Sequence, residues 1–131
     1  MGLLRMENTM AKIVLLVDDS ATSRMTSRML FGNMKEYELL SACDGKEGVE
    51  VALQRRPDLI LMDVEMPRMS GIEACRARRE HAETRNTPIV LLTMRGESKA
   101  VETGFDSACN EYLLKPLNEG VLAVILKKYL G

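Results

Sequence analysis

Five short segments typical of strands alternate along the chain with five segments that have helical periodicity. The strand segments are Lys12–Val17, Tyr37–Ala42, Leu59–Met62, Ile89–Thr93 and Tyr112–Leu114. Most of them are nearly continuous apolar runs, which is typical of strands that are covered on both faces. The alternation therefore predicts an α/β domain with a parallel sheet and right-handed crossovers.

The predicted helices are bounded by residues that commonly cap or stop helices. Ser20 can cap a first helix to about Gly32, and Pro57 stops a second whose stripe begins at Val49. The other three predicted helices are Ile72 to about Glu80, the stripe from Val101 to Ala108, and Val121 to Leu130. A chain of 131 residues is about the size of one domain. We expect that domain to span residues 11–131, after a loose leader at residues 1–10.

The composition argues against several classes of partner. The net charge is -1, with 18 basic and 19 acidic residues, so bulk charge predicts neither a nucleic-acid partner nor a membrane partner. No apolar run approaches the roughly 18 residues of a membrane span, and the first residues lack the apolar region of a secretory signal. The sequence thus predicts a soluble, cytoplasmic protein.

Two further sets of residues carry predictions of their own. The three cysteines, Cys43, Cys75 and Cys109, are odd in number and have no close C-x-x-C spacing. This favours reduced thiols that fill core space over a disulfide framework or a zinc site. A basic cluster is predicted to be a solvated face; its members are Arg76, Arg78, Arg79 and Arg85.

Polar side chains follow or end four of the predicted strands. Asp18 and Asp19 follow the first strand, Asp63 the third and Lys115 the fifth, while Thr93 ends the fourth. In a parallel α/β sheet ligands bind outside the carboxyl ends of the strands, so we expect these side chains to gather there. Asp63 directly follows a buried run, and a buried carboxylate is costly unless something compensates its charge.

The chemistry of these groups points to a metal and a phosphoryl group. Three carboxylates within a few ångströms repel one another, and a divalent cation removes that conflict. Oxygen ligands without histidine or thiol suit Mg²⁺, with Mn²⁺ as a possible substitute. Lys115 adds an ammonium and Thr93 a hydroxyl donor. Together they form a cage for a phosphoryl group carried by a carboxylate, which predicts Asp63 as the nucleophile.

Motifs stand in a fixed order at these strand ends. They are V-D-D at Val17–Asp19, D-x-x-M-P at Asp63–Pro67 continuing through Met69 to Gly71, Thr93, and Y-x-x-K-P at Tyr112–Pro116. In this order the chain resembles the receiver domains of two-component response regulators over Lys12–Leu130, with chemotaxis-type stand-alone receivers most similar. The resemblance implies a flavodoxin-like fold for residues 11–131. That fold is a single doubly wound parallel sheet of five strands, in the order 2-1-3-4-5, flanked by five helices.

The resemblance also implies a metal site. Asp63 matches the phosphoacceptor and a metal ligand, and Asp19 matches a direct metal ligand. Asp18 matches a second acid that acts largely through water on the metal. The backbone carbonyl of Glu65 matches a further ligand. The implied cofactor is Mg²⁺.

Three more residues match positions of the switch. Thr93 matches the hydroxyl that moves onto the phosphoryl oxygens, and Lys115 matches the lysine that pairs with them. Tyr112 matches the aromatic residue whose rotation reports phosphorylation, although a strand tyrosine can also be half-buried packing. The family catalyses transfer from a phosphohistidine to its own aspartate and later hydrolysis.

The sequence departs from the family pattern near the phosphorylation pocket. Met94 follows the switch threonine where a small residue is common, and it could partly cover the pocket. Ala108-Cys109 replaces a common Gly-Ala, with Asn110 able to supply the left-handed position. Glu65 and Arg95 stand two residues beyond Asp63 and Thr93, where receivers tune how water reaches the phosphoryl group.

The implied partners are a sensor histidine kinase or phosphotransfer protein, and an effector. The effector would dock on the face of the predicted fourth helix, fifth strand and fifth helix. The last helix is apolar on more than one side, so part of it could serve docking or dimerisation; we expect a monomer or a weak phosphorylation-dependent dimer.

Two alternatives differ in class from a phosphorylated switch. One is a pseudo-receiver that is never phosphorylated and acts as a protein-binding module, an alternative that Met94 keeps open. The other is a dinucleotide-binding enzyme, which would want G-x-G-x-x-G after the first strand, where the chain has Asp18-Asp19-Ser20-Ala21.

Overall fold

The computed structural model describes residues 11–32, 34–64, 71–93, 109–115 and 117–131. The strands form a single parallel sheet in the order β2-β1-β3-β4-β5, as the resemblance implied. They are β1 (Lys12–Val17), β2 (Tyr37–Ala42), β3 (Leu59–Asp63), β4 (Ile89–Thr93) and β5 (Glu111–Leu114). The predicted fold class is therefore confirmed, and β3 and β5 each gain one residue over their predicted bounds.

Four helices flank the sheet in the described part of the chain. They are α1 (Ala21–Phe31), α2 (Gly45–Arg55), α3 (Gly71–Arg79) and α4 (Glu119–Leu130). The helix predicted around Val101–Ala108 lies outside the described residues. None of the helices in the described ranges is long and apolar enough to cross a membrane.

Side-chain caps decide where three of these helices begin. Ser20 Oγ accepts a hydrogen bond from the backbone N–H of Ser23, at 3.2 Å, and so caps α1. Asp44 Oδ1 accepts from the N–H of Glu47 at 2.8 Å and caps α2, so Asp44-Gly45 begins a helix as well as ending β2. Asn118 caps α4, which starts two residues before the predicted Val121. Each cap satisfies a backbone donor that the first helical turn leaves free.

The core lies on both faces of the sheet, because β3 and β4 are buried along their whole length. One face packs against α2 and α3, and the other against α1 and α4. Gly48 of α2 sits so close to β1 that an added Cβ would meet a methyl of Val17 at 2.8 Å. The absence of a side chain at Gly48 lets α2 approach the end of β1, directly before the acidic pair.

Two expectations about buried and exposed residues are wrong. Arg78 is only 7% exposed, whereas Arg76, Arg79 and Arg85 are exposed as predicted. Its long stem lies on the inner side of α3, and its guanidinium donates to the backbone carbonyl of Thr87. Cys43 is exposed and fills no core space, whereas Cys75 is fully buried.

Candidate functional site

Parallel strand pairing brings the predicted residues to one edge of the sheet. Asp18 and Asp19 directly follow β1, and Asp63 is the last residue of β3, the central strand. Thr93 ends β4, and its carbonyl accepts a hydrogen bond from the N–H of Lys115 at 2.8 Å. The register thus places the ends of β1, β3, β4 and β5 beside one another.

Three carboxylates gather at this edge. One oxygen from each of Asp18, Asp19 and Asp63 lies within 4.8 Å of the others. Asp18 and Asp63 are buried, whereas Asp19 is exposed and can approach from solvent. These carboxylates offer oxygen ligands that are held at the strand ends, and the side with Asp19 is open to solvent. A hard divalent ion such as Mg²⁺ uses oxygen ligands of this kind and keeps several water molecules.

Asp18 is held in place by the first turn of α1. Its Oδ1 accepts a hydrogen bond from the N–H of Ser20 at 2.9 Å, and its backbone carbonyl accepts from Arg24 Nη1 at 2.7 Å. Sequence reasoning missed the role of Arg24. A basic residue one helical turn after the cap Ser20, beside two acids, is the signal that could have indicated it.

Lys115 reaches from the end of β5 to two of the carboxylates. Its Nζ lies 2.7 Å from Asp63 Oδ1 and 3.2 Å from Asp18 Oδ2. Burial lowers the pKa of Lys115, but the hydrogen bonds and charges of Asp63 and Asp18 outweigh it and raise the pKa above its ordinary value. Lys115 is therefore a fixed positive charge at neutral pH.

Asp63 remains incompletely compensated despite Lys115. Burial, followed by the hydrogen bond and charge of Asp18, raises its pKa from 3.8 to about 7, and Lys115 offsets only part of this. Its buried Oδ1 has the Lys115 ammonium as an ion-pair partner at 2.7 Å. Because two more carboxylates lie beside Asp63, this one ammonium leaves excess negative charge that a divalent cation would neutralise. The residues present therefore fit Mg²⁺.

The two predicted switch residues differ in exposure. Thr93 is buried at the end of β4, at the same edge as Asp63. Tyr112 lies on the outer strand β5 and is 40% exposed. Thr93 therefore lies at the edge of the sheet where the carboxylates gather, and Tyr112 reaches the surface on the outer strand.

Three predicted residues lie outside the described part of the chain. They are Glu65, proposed to offer a metal ligand and to tune the rate, and the other rate-tuning residues Met94 and Arg95. Their roles stay predictions.

Comparison with known proteins shows which family this chain resembles. Residues 14–127 match the family model described as the response regulator receiver domain. The polar-differentiation response regulator DivK of Brucella anthropi is 31% identical over 125 residues, which cover 93% of this chain and 98% of DivK. The DNA-binding dual master transcriptional regulator RpaA of Synechocystis is 35% identical over 109 residues, or 83% of this chain. The chain spans only 44% of that longer relative.

Solved structures give the same answer in three dimensions. The chemotaxis protein CheY4 of Vibrio cholerae superimposes with a TM-score of 0.82 and is 32% identical, covering 92% of this chain and 99% of CheY4. The receiver domain of a sensor histidine kinase from Pseudomonas aeruginosa has a TM-score of 0.82 and is 28% identical, covering 91% and 97% of the two chains. That crystal structure has a magnesium ion coordinated in its active-site cleft.

Proposed function

Since this chain belongs to the family of response regulator receiver domains, we propose that it is a switch that accepts a phosphoryl group on Asp63. The observation that carries the proposal is the position of the Asp63 carboxylate, together with its burial and its charged neighbours. Asp63 ends the central strand, is buried beside two more acids, and lies 2.7 Å from the Lys115 ammonium. A carboxylate held in this way is positioned for nucleophilic attack and is otherwise costly to bury.

The donor that we propose is a phosphohistidine of a sensor histidine kinase or phosphotransfer protein. An oxygen of Asp63 attacks the phosphorus, the P–O bond forms, and the P–N bond breaks as the imidazole nitrogen leaves with the electron pair. Lys115 keeps its proton throughout and pairs with the phosphoryl oxygens, so charge that accumulates there is met by a fixed cation. Hydrolysis of the resulting acyl phosphate returns Asp63 to its starting state.

The acidic group would hold Mg²⁺, with Mn²⁺ as a possible substitute. Asp19 and Asp63 are the proposed direct ligands, with Asp18 acting largely through water and the carbonyl of Glu65 as a further ligand. When bound, the ion neutralises the clustered carboxylates and the phosphoryl oxygens. The three clustered carboxylates and the solvent-facing Asp19 support this assignment.

The proposed output runs from Thr93 to the surface. The hydroxyl of Thr93 would move towards the phosphoryl oxygens and leave space into which Tyr112 can rotate. Exposed apolar side chains on β5 and α4 support an effector-docking face there; they are Leu114, Val121 and Val124. The helix predicted around Val101–Ala108 would complete that face. The expected monomer or weak phosphorylation-dependent dimer, like the cytoplasmic location, stays a prediction.

The rate-tuning residues extend the proposal to the lifetime of the phosphorylated state. Glu65 and Arg95 would pair across the mouth of the site and slow the entry of water, and Met94 would cover part of the pocket. An exposed pair of this kind is worth only about 0–1 kcal/mol, so the expected change in lifetime is less than about tenfold. Measured decay of the phosphorylated protein in Glu65→Ala, Arg95→Ala and Met94→Ala variants tests this.

The experiment that tests the function is labelling with a small phosphodonor in the presence of Mg²⁺. The intact protein should gain the mass of one phosphoryl group, and the label should disappear in Asp63→Asn. Glu50→Gln is the matched control, because Glu50 is an exposed carboxylate on α2 and should leave labelling unchanged. Undiminished labelling of Asp63→Asn would overturn the assignment. Failure of the chain to bind Mg²⁺ or to accept phosphate would instead favour the protein-binding module.

A further inference from the structure

Two cysteines that are distant in the sequence meet in the fold. Cys75 of α3 and Cys109, two residues before β5, have sulfur atoms 2.7 Å apart, and both are free thiols. Non-bonded heavy atoms usually rest about 3.5–4.0 Å apart, and a disulfide bond is about 2.05 Å long. We propose that Cys75 and Cys109 form a reversible redox site, which a hydroperoxide converts into an intramolecular disulfide.

The fold holds both sulfurs in place before any bond forms. Cys75 is fully buried in the core between α3 and the sheet, and Cys109 packs against that core. The neighbouring Asn110 is pinned to β4, because its N–H donates to the Ile89 carbonyl at 3.0 Å and its Oδ1 accepts from the Ile89 N–H at 2.9 Å. Closing the gap to the length of a disulfide bond requires a movement of about 0.7 Å.

The surroundings give the two thiols different roles. Cys109 is half-buried, and its hydrogen bond with Cys75 lowers its pKa, helped by the charges of Arg78, Arg79 and Arg76 against the opposing effect of burial. The pKa of Cys75 is raised by the hydrogen bond with Cys109 and by burial. A thiolate is the reactive form of cysteine. Cys109 is therefore the sulfur that attacks, and Cys75 is the resolving thiol.

The reaction balances with a hydroperoxide as the oxidant. The Cys109 thiolate attacks one peroxide oxygen and the O–O bond breaks. When the oxidant is hydrogen peroxide, the leaving group is hydroxide, and Cys109 becomes a sulfenic acid. Cys75 then attacks the Cys109 sulfur, the S–S bond forms, the S–O bond breaks, and the hydroxyl leaves with the Cys75 proton as water. The two thiols lose two electrons, and hydrogen peroxide is reduced to two water molecules. A dithiol reductant reverses the oxidation.

The bond would join α3 to the start of β5 across a loop that contains β4. Constraining a loop of 34 residues in the unfolded chain should raise the melting temperature of the oxidised protein by about 5–15 °C. The effect is reversible, so addition of dithiothreitol should restore the melting temperature of the reduced protein.

The test uses hydrogen peroxide on the reduced chain, followed by alkylation of free thiols under denaturing conditions and peptide mass spectrometry. We expect the Cys75 and Cys109 peptides to become linked and both thiols to escape alkylation. Cys43→Ser is the matched control, because Cys43 is exposed and its removal should leave the link unchanged. In Cys75→Ser, a reagent specific for sulfenic acid should label Cys109.

Three outcomes would overturn the proposal. One is that both thiols stay open to alkylation after peroxide treatment. Another is that Cys109 is oxidised in the wild-type chain without a link to Cys75. The third is that the only disulfides formed join two chains through Cys43. The wild-type and Cys43→Ser proteins decide between these outcomes and the expected link, even if Cys75→Ser folds poorly.

Discussion

The protein buries a charged side chain near each end of β4, and the groups that surround the charge differ between the two ends. At the amino end, Arg78 is 7% exposed, and its guanidinium donates to the carbonyl of Thr87, two residues before the strand. At the carboxyl end, Asp63 is 6% exposed and lies beside two other carboxylates and the single ammonium of Lys115. Burial is nearly equal, so the partners make the difference.

The partners of Arg78 are fixed parts of the fold. The carbonyl of Arg78 accepts a hydrogen bond from Thr84 Oγ1 at 2.9 Å. This bond fastens the loop between α3 and β4 to the last turn of α3. At the acidic end, three carboxylates lie beside the single ammonium of Lys115, and the Arg24 guanidinium donates to the backbone carbonyl of Asp18. A buried charge alone therefore does not indicate function, whereas a cluster of like charges at one strand end, such as the one around Asp63, does.

The largest effect on stability is expected from Arg78→Ala. The change removes a buried hydrogen-bond donor, leaves the Thr87 carbonyl without that donor, and opens space in the core. We expect the free energy of unfolding to fall by about 2–4 kcal/mol, measured by urea denaturation. Arg79→Ala is the control, because Arg79 is exposed on the same helix and should change stability by less than about 0.5 kcal/mol. Equal effects in the two variants would show that Arg78 has no structural role beyond that of a surface residue.

The next effect has the opposite sign and lies at the acidic end. Between pH 3.8 and about 7 the folded protein retains a proton on Asp63 that the unfolded chain has lost, so stability falls as pH rises through this range. Above about pH 7 the cost is complete. The rise of the pKa from 3.8 to about 7 sets a ceiling near 4 kcal/mol, and the ion pair with Lys115 keeps the net cost below that ceiling.

We therefore expect Asp63→Asn to raise the free energy of unfolding by about 1–3 kcal/mol at pH 8 in the presence of EDTA. The gain should shrink towards zero near pH 4. Urea denaturation of both proteins across this pH range measures it, and Glu50→Gln should show no such pH dependence. A variant that is less stable than the wild type at pH 8 would mean that Lys115 fully compensates Asp63.

The difference between the two ends also explains what the sequence could predict. Strand positions followed from apolar runs closed by turn residues, and β2 and β4 have their predicted bounds. The gathering of Asp18, Asp63 and Lys115 followed from one rule, that parallel strands deliver their carboxyl ends to one edge. The sheet order needed the resemblance, because the alternation of strands and helices is compatible with several orders.

Features that depend on tertiary packing could not be predicted in the same way. Arg78 looks like its neighbours Arg76 and Arg79 in the sequence, and only the orientation of α3 against the sheet makes it a core residue. The meeting of Cys75 and Cys109 depends on where α3 lies beside the start of β5, which no local spacing encodes. The capping role of Asn118 was also missed, although an asparagine before an apolar helix is a known signal.

Magnesium should abolish the instability of the acidic end. If the carboxylates bind Mg²⁺ only in the folded state, free Mg²⁺ at ten times its dissociation constant stabilises the wild-type protein by about 1.4 kcal/mol. Thermal denaturation with and without Mg²⁺ measures this shift. In Asp19→Asn the shift should be much smaller, and because Asp19 is exposed the variant should fold normally. Equal shifts in the wild type, Asp19→Asn and Glu50→Gln would reveal a general salt effect.

The smallest effect is expected where charge is not buried at all. Arg55 Nη2 and Glu38 Oε1 are 3.0 Å apart, close to the distance between Lys115 and Asp63, but their side chains are 47% and 41% exposed. Water screens this pair and both long side chains lose rotamer freedom in making it. A double-mutant cycle with Arg55→Ala and Glu38→Ala should therefore give a coupling energy of about 0–0.5 kcal/mol. The coupling should vanish near 1 M NaCl, where the screening length is about 3 Å.

The same cycle on Lys115 and Asp63 should keep most of its coupling in salt, because the pair is shielded from ions. If both cycles lost their coupling equally, the carboxyl end of the sheet would be as open to solvent as the surface, and the raised pKa of Asp63 would lose its physical cause.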